Sequence, residues 1–397
     1  MRGLRQVLCL AGLFHCRAWL STPSLAGRRA KLRSTVSPLS AEVVCVGDAL
    51  FDCISDTNGA SLEEMLEKGA WTSWPGGAPA NVATALSKLG SSSGFAGCIG
   101  ADQDGDVLAT LFRDTGVDVS LLQRSSELPT RRVMVTRDPT GDRTFACFAD
   151  GRPADAFADS LFDSQGLSSE ALEAGLQGVR WMVCSTLSLA FPASNAAMLE
   201  VIDAGLARGA RLYVDINWRD VFWPPGAEDL AKGEIMDLAS KADVVKLTEE
   251  EAEWLFGDRG VTGDSAFAKP ESVHAFFPKA KAVLVTAGGA GVAYSILGWT
   301  AQVPGFKVDV VETTGAGDAF TAGFMHGLLA MDLDFDMFNT LVPKEQRNLL
   351  LQYLVTFAAA VGALTCTGKG AIEPQPDYDQ VEAFLAKREL GPLPAAP

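Results

Sequence analysis

Asp318 stands after a glycine pair and before a run of small and apolar residues, in Glu312-Thr313-Thr314-Gly315-Ala316-Gly317-Asp318-Ala319-Phe320-Thr321-Ala322-Gly323. Glycines let the backbone take strained dihedrals and let a ligand come close. A turn that opens a helix leaves free N–H groups at the positive end of the helix dipole, which suits an anion. A carboxylate beside such a hole can take a proton from a hydroxyl while the hole holds a transferring phosphoryl group. A plain helix cap explains the same local pattern. Gly315, Ala316, Gly317 and Asp318 are thus the first candidate constellation, as base and anion hole or as a cap.

Further polar residues stand just past apolar runs. Asp52 follows Glu42-Val43-Val44-Cys45-Val46-Gly47-Asp48, and Gly76, Gly77 and Asn81 lie in Trp74-Pro75-Gly76-Gly77-Ala78-Pro79-Ala80-Asn81. A carboxylate accepts from two hydroxyls and an amide both donates and accepts, which is what a neutral polyol needs. Asn217 and Arg219 follow Arg211-Leu212-Tyr213-Val214-Asp215. Arg219 suits phosphate charge or a surface ion pair. Lys246 leads to Glu249-Glu250-Glu251, which reads on its own as a solvated helix start, and Thr286, Gly288 and Gly291 close another apolar run with a glycine turn.

Elements must hold these residues. Short buried strands are expected over 42–48, 94–100, 181–185, 211–215, 242–248 and 282–287, with a further strand over 303–311. Helices are expected from about 80 to 89, 105 to 116, 194 to 208, 319 to 331 and 351 to 364. Strand–helix–strand alternation implies an α/β fold with a doubly wound parallel sheet. Ligands gather at the carboxyl ends of such strands. Residues 131–148 alternate apolar and polar around Asp138-Pro139-Thr140-Gly141-Asp142, a hairpin signal. Residues 332–350 read as a charged surface excursion.

Composition narrows the class. Residues 1–41 carry seven Lys or Arg and no acid, so of 33 basic and 49 acidic residues the remainder keeps 26 and 49, a net −23. Such a body repels nucleic acid and anionic membrane. The eight cysteines include no C-x-x-C pair, and the three histidines form no ligand spacing, which suits reduced thiols and not a zinc site or a disulfide framework. His326 is expected to pack. No apolar run reaches bilayer length. Six arginines and five serines without an acid over 1–40 have transit-peptide composition. The apolar 7–14 behind Arg2 and Arg5 suits a short h-region of a bipartite leader. A plastid address is favoured, with mitochondrion or cytosol as alternatives. The final 386–397 reads as a flexible tail.

The 312–320 stretch, Gly-Gly-Ala-Pro-Ala-Asn-Val-Ala at 76–83, Asp215-x-Asn217-x-Arg219 and Thr286-x-Gly288-x-x-Gly291 together resemble the signatures of the ribokinase-like (PfkB-type) carbohydrate kinases, and among them plant and plastid-type fructokinases. The resemblance runs from about 43 to 376. It implies one ribokinase-like domain over 41–385: a central, mostly parallel sheet with helices on both faces and a small β-sheet lid from about 54–75 and 130–150. It implies ATP-dependent phosphorylation of D-fructose to fructose 6-phosphate. Asp318 would be the base, amides of 315–318 the anion hole, and Asp52, Gly76, Gly77 and Asn81 the sugar site. Asn217, Arg219, Lys246, Thr286, Gly288 and Gly291 would serve the nucleotide, and Glu251 would meet Mg²⁺ through water. Relatives with a monovalent-cation site carry Asp at the place of Glu312. The family's Arg-Asn-Pro-Ser-Ala-Asp segment is here Asp150-Gly151-Arg152-Pro153-Ala154-Asp155, with its Arg displaced. A lid-paired homodimer is consistent with the resemblance. The alternatives are another acceptor (ribose, 2-keto-3-deoxygluconate or a nucleoside), a sugar-binding sensor without turnover, or a catalytically silent plastid scaffold. No Walker loop and no dinucleotide fingerprint occur.

Overall fold

The computed structural model describes residues 41–59, 61–68, 71–137, 143–332, 335–388 and 390. The expected leader, the hairpin tip at 138–142 and the end of the expected tail lie outside them. Thirteen strands occur in chain order: β1 (Val43–Val46), β2 (Leu50–Asn58), β3 (Trp71–Gly76), β4 (Ser93–Gly100), β5 (Asp118–Ser125), β6 (Arg132–Arg137), β7 (Arg143–Phe148), β8 (Trp181–Ser185), β9 (Arg211–Asp215), β10 (Val244–Thr248), β11 (Ala282–Thr286), β12 (Gly291–Ile296) and β13 (Trp299–Pro304).

Nine of them form one sheet in the order β13-β12-β11-β10-β9-β8-β1-β4-β5. From β5 to β11 every pairing is parallel. β1, β8 and β4 are buried along their whole length. That is why they read as continuous apolar runs and not as alternating ones. β12 and β13 add an antiparallel edge. Two packed cores fill the layers on either side of the sheet, one around Val46, Met182 and Val245, the other around Cys45, Tyr213 and Phe324. The other four strands form a small sheet, β3-β2-β6-β7, whose β6–β7 hairpin is the one the alternation at 131–148 predicts.

The strand order reverses between β1 and β8, since β1 is followed by β4 and β5 on one side and by β8 to β11 on the other. This is the switch point where an open α/β sheet forms its crevice. Two long helices pack closely beside it. A Cβ at Gly323 of helix Ala316–Ala330 would meet Ala358 Cα at 2.9 Å, and one at Gly362 would meet Ala316 O at 2.8 Å. Small residues therefore let helix Lys344–Thr365 lie against the helix that carries Asp318.

Several expectations need correction. The strand expected over 303–311 ends at Pro304, and 305–311 is a loop. Gly305 donates to Ala290 O at 3.3 Å, so the loop turns away from the sheet edge, and its valines face the cleft or solvent. The stretch expected as a surface excursion is helical at Phe335–Leu341 and from Lys344, and its Phe335, Phe338 and Val342 are buried in the core. Helix Lys344–Thr365 is also long and apolar enough to span a bilayer, with mean hydropathy 1.5, but 56% of that stretch is buried in the protein. Its apolar length thus serves the core.

Candidate active site

The carboxyl ends of β1, β8, β9, β10 and β11 open into one cleft of about 430 Å³, closed on one side by β2, β6 and β7. β1 and β11 are four strands apart, which is roughly 19 Å at the usual strand spacing. That span accommodates two ligands end to end, with the reacting atoms between them.

Asp318 lies in the middle. Gly315 takes φ +73 as the N-cap of helix Ala316–Ala330 and offers no side-chain cap. A Cβ there would sit 2.8 Å from Ala371 Cβ, so both the positive φ and the close approach call for glycine. Asp318 is the third residue of the helix, not its cap, and its carboxylate Oδ2 instead accepts from Asn81 Nδ2 at 2.8 Å. The cap explanation for Asp318 therefore fails. The first amides of the helix remain without a side-chain partner, which is the condition for holding an anion. Helix Ala78–Leu89 repeats the device: Gly77 is its N-cap at φ +100, again with no side-chain cap. A Cβ at Gly77 would strike the Asp48 carbonyl at 2.6 Å.

Burial pushes the Asp318 carboxyl up to about 6, and Asp215 pushes it the same way, while Asn81, Lys246 and Arg219 oppose them. Lys246 Nζ donates to both oxygens of Asp215, at 2.6 and 2.9 Å, and Thr321 Oγ1 donates to Asp215 Oδ2 at 2.9 Å. Burial acts to lower the Lys246 ammonium, but Asp215 outweighs it and holds the group above its ordinary value. A Cβ at Gly317 would lie 3.3 Å from Lys246 Nζ, so a fixed positive charge sits directly under the glycine turn. The Lys246–Asp215 pair is almost wholly buried, with side chains 6% exposed each.

Glu251 is buried and lines the cleft. Its Oε2 accepts from Thr248 N at 2.9 Å in a capping box, its Oε1 accepts from Trp218 N at 3.0 Å, and Arg219 Nη1 stands 3.7 Å away. Burial raises its carboxyl, and Arg219, the Thr248 amide and Lys246 pull it back. With both oxygens engaged by backbone, Glu251 fits a divalent ion only through water, using remaining lone pairs. Among the described residues no group of three or more His, Cys, Asp or Glu is placed to hold a metal.

Of the residues singled out by sequence, Asp52, Gly77, Asn81, Asn217, Arg219, Lys246, Glu251, Thr286, Gly288, Gly291, Gly315, Ala316, Gly317 and Asp318 all line this cleft. Gly76 does not. It lies behind Asp52, where a Cβ would come within 2.5 Å of Asp52 Oδ2. Asp52 is on lid strand β2, opposite Trp74, and not at the end of β1; the residue at that end is Asp48. Arg152 is exposed, 4.0 Å from Asp150, and lines nothing. Glu312 is buried and accepts from Thr314 Oγ1 and from Gly370 N at 3.1 Å, which ties the glycine turn to the loop after helix Lys344–Thr365.

Sequence reasoning missed four contributors. These four are Asp48, Phe145, Leu187 and Phe306, and Val308 and Val310 beside Phe306 line the cleft as well. Only Asp48 had a signal, its place directly after β1. Phe145 also stacks under Arg219, 5.2 Å from the guanidinium carbon, so β7 touches the loop after β9.

Residues 40–378 match the model of the pfkB family carbohydrate kinases. The chain belongs to that family. Its enzymes are phosphotransferases with an alcohol group as acceptor. Among curated relatives, the chain is 33% identical to "Probable fructokinase-6, chloroplastic" of Arabidopsis thaliana over 94% of this chain and 91% of that one. It is 35% identical to "Probable fructokinase-7" of the same plant over 87% and 92%. Among solved structures, a Xylella fastidiosa fructokinase with bound ATP superposes with a TM-score of 0.72 at 27% identity, covering 87% of this chain and 98% of that one. A Vibrio cholerae fructokinase with fructose, ADP and calcium bound gives 0.66 at 26%, over 88% and 100%. The ribokinase-like fold and the membership of this chain in the pfkB family therefore stand on both sequence and structure.

Proposed function

We propose that the protein transfers the γ-phosphoryl group of ATP to the terminal primary hydroxyl of free D-fructose, giving fructose 6-phosphate and ADP. The observation that carries this reading is Asp318 itself: a half-buried carboxylate at an uncapped helix start, held by Asn81 and backed by Lys246. Asp52, Gly77 and Asn81 orient the sugar. Asp318 accepts the hydroxyl proton as the new O–P bond forms, and the old bond to the β-phosphate oxygen breaks. Amides of Ala316, Gly317 and Asp318 hold the charge that develops on the phosphoryl oxygens. An ordinary carboxyl near pH 4 is a weak base. One raised to about 6 is stronger and still largely ionised at neutral pH.

Asn217, Arg219, Lys246, Thr286, Gly288 and Gly291 border the nucleotide's place, with Phe306, Val310 and Ala359 as its apolar walls. Mg²⁺ bound to the phosphates would neutralise their charge, and Glu251 would hold it through water. The relatives named above support ATP and fructose as substrates, and the chloroplastic one supports a plastid address for this chain. Residues 1–40 are then the leader and 41–385 the catalytic domain. The test is ADP release from Mg²⁺-ATP over a panel of hexoses, pentoses and sugar acids, with the phosphorylated carbon assigned by ³¹P–¹H NMR. Fructose is expected to give the highest kcat/KM, with phosphate on carbon 6. Higher kcat/KM on another acceptor contradicts the substrate, and no turnover on any acceptor contradicts the activity.

A further inference from the structure

The acceptor end of the cleft holds a carboxylate that the scheme above leaves idle. Asp48 directly follows β1 at the switch point, is 2% exposed and lines the cleft. Its Oδ1 accepts a long hydrogen bond from Ser185 Oγ at 3.4 Å, and its Oδ2 has no partner. Asn81 Oδ1, on the facing helix, is also buried without a partner. Buried polar atoms are almost always satisfied, so two orphan acceptors on residues that line one cleft need an explanation.

Both atoms accept hydrogen bonds and neither can donate when Asp48 is ionised. A hydroxyl supplies a donor without bringing a charge of its own. The cations that line the cleft, Arg219 and Lys246, lie after β9 and on β10, toward the phosphate side. Arg131 also acts on Asp48, but its Nε is paired with Asp159 at 2.8 Å and it does not line the cleft. No positive side chain therefore faces the acceptor from this end.

We propose that Asp48 is a further acceptor-binding residue: its free oxygen takes a hydroxyl hydrogen of the sugar, and with Asp52 it restricts this end of the cleft to neutral polyols. The proposal rests on the sugar-kinase reading and deepens it by excluding sugar acids, whose carboxylate would meet two like charges. Burial first, then Asp159, pushes the Asp48 carboxyl up to about 7, against its own backbone N–H and Arg131. A carboxylate so poorly solvated gains most from a donor that arrives with the ligand.

The experiment uses the full chain and compares wild type with Asp48→Asn by steady-state ADP release on fructose, on each of its monodeoxy analogues and on a hexonic acid. Asp48→Asn is expected to raise the fructose KM by about tenfold or more, with little change in kcat or in the KM for ATP. On the one analogue that lacks the hydroxyl Asp48 takes, the two proteins should have equal kcat/KM, and preference for fructose over the acid should weaken. Equal impairment on every analogue, or none on fructose, overturns the assignment while leaving the sugar-kinase reading in place. Wild type that turns over no sugar overturns both. Thermal unfolding checks the fold, and Asp48→Ser is read the same way if the Asn variant melts early.

Discussion

Asp318 holds its charge against its surroundings, and that has a measurable consequence for stability. Its ordinary value is 3.8 and its folded value about 6. Below pH 4 the carboxyl is neutral in both folded and unfolded chain, and this group then contributes nothing unfavourable. As pH rises through 6 the folded protein must hold a buried charge that the unfolded chain holds freely, so stability is lost. Asp318→Asn removes that cost. The variant should be more stable than wild type at pH 8 by up to about 3 kcal/mol and equally stable near pH 4, by urea unfolding. In the wild type kcat/KM should fall below about pH 6, where Asp318 takes up a proton. Equal stability of the two proteins at pH 8 would show that the site accommodates the charge at no cost. The position of Asp318 was legible in sequence because it is local: two glycines, a helix start and a carboxylate at the third position. Asp48 was not, because an Asp after a strand is most often a turn residue, and its orphaned oxygen exists only once β1, β8 and the helix Ala78–Leu89 are assembled.

Arg131 sits where the lid meets the body, just before β6. It is fully buried, and its guanidinium carbon lies 4.7 to 5.0 Å from the ring centres of Phe148, Phe157, Phe191 and Phe222. Phe148 is on lid strand β7, while the other three come from the body. Asp159 supplies the one salt bridge, at 2.8 Å, and both Nη atoms lack hydrogen-bond partners. The rings compensate part of the lost hydration through cation–π attraction. Removing one partner of a buried ion pair strands the other, so Arg131→Ala should cost about 3–5 kcal/mol in urea unfolding. Joint replacement, Arg131→Met with Asp159→Leu, should restore most of it. A loss under about 1 kcal/mol for Arg131→Ala would mean that the cage is not what secures the lid. Local patterns recovered the β6–β7 hairpin and the parallel strands other than β5, which was missed. They could not recover this cage, whose four rings come from four separated segments, nor the true end of β13. There Val308, Val310 and Val311 imitate a strand, although Val308 and Val310 line the cleft, and Val310 and Val311 are half or more exposed.

The whole molecule is an acidic α/β kinase whose nine-stranded sheet brings one cleft to its switch point. Alternation of strands and helices made the parallel layer legible from sequence. The antiparallel edge, β12 and β13, was not: β12 is buried along its whole length like a parallel strand, and β13, though it alternates, is only six residues long and runs on into the valines at 308–311. Everything converges on a single carboxylate between two uncapped helix starts, so the most direct measurement is ADP release from Mg²⁺-ATP and fructose by wild type and Asp318→Asn at pH 8. We expect turnover in the wild type and a loss of at least about a thousandfold in kcat for the variant, with the KM for fructose little changed. Turnover within about tenfold of wild type in a folded Asp318→Asn protein would contradict the assignment of Asp318 as the base.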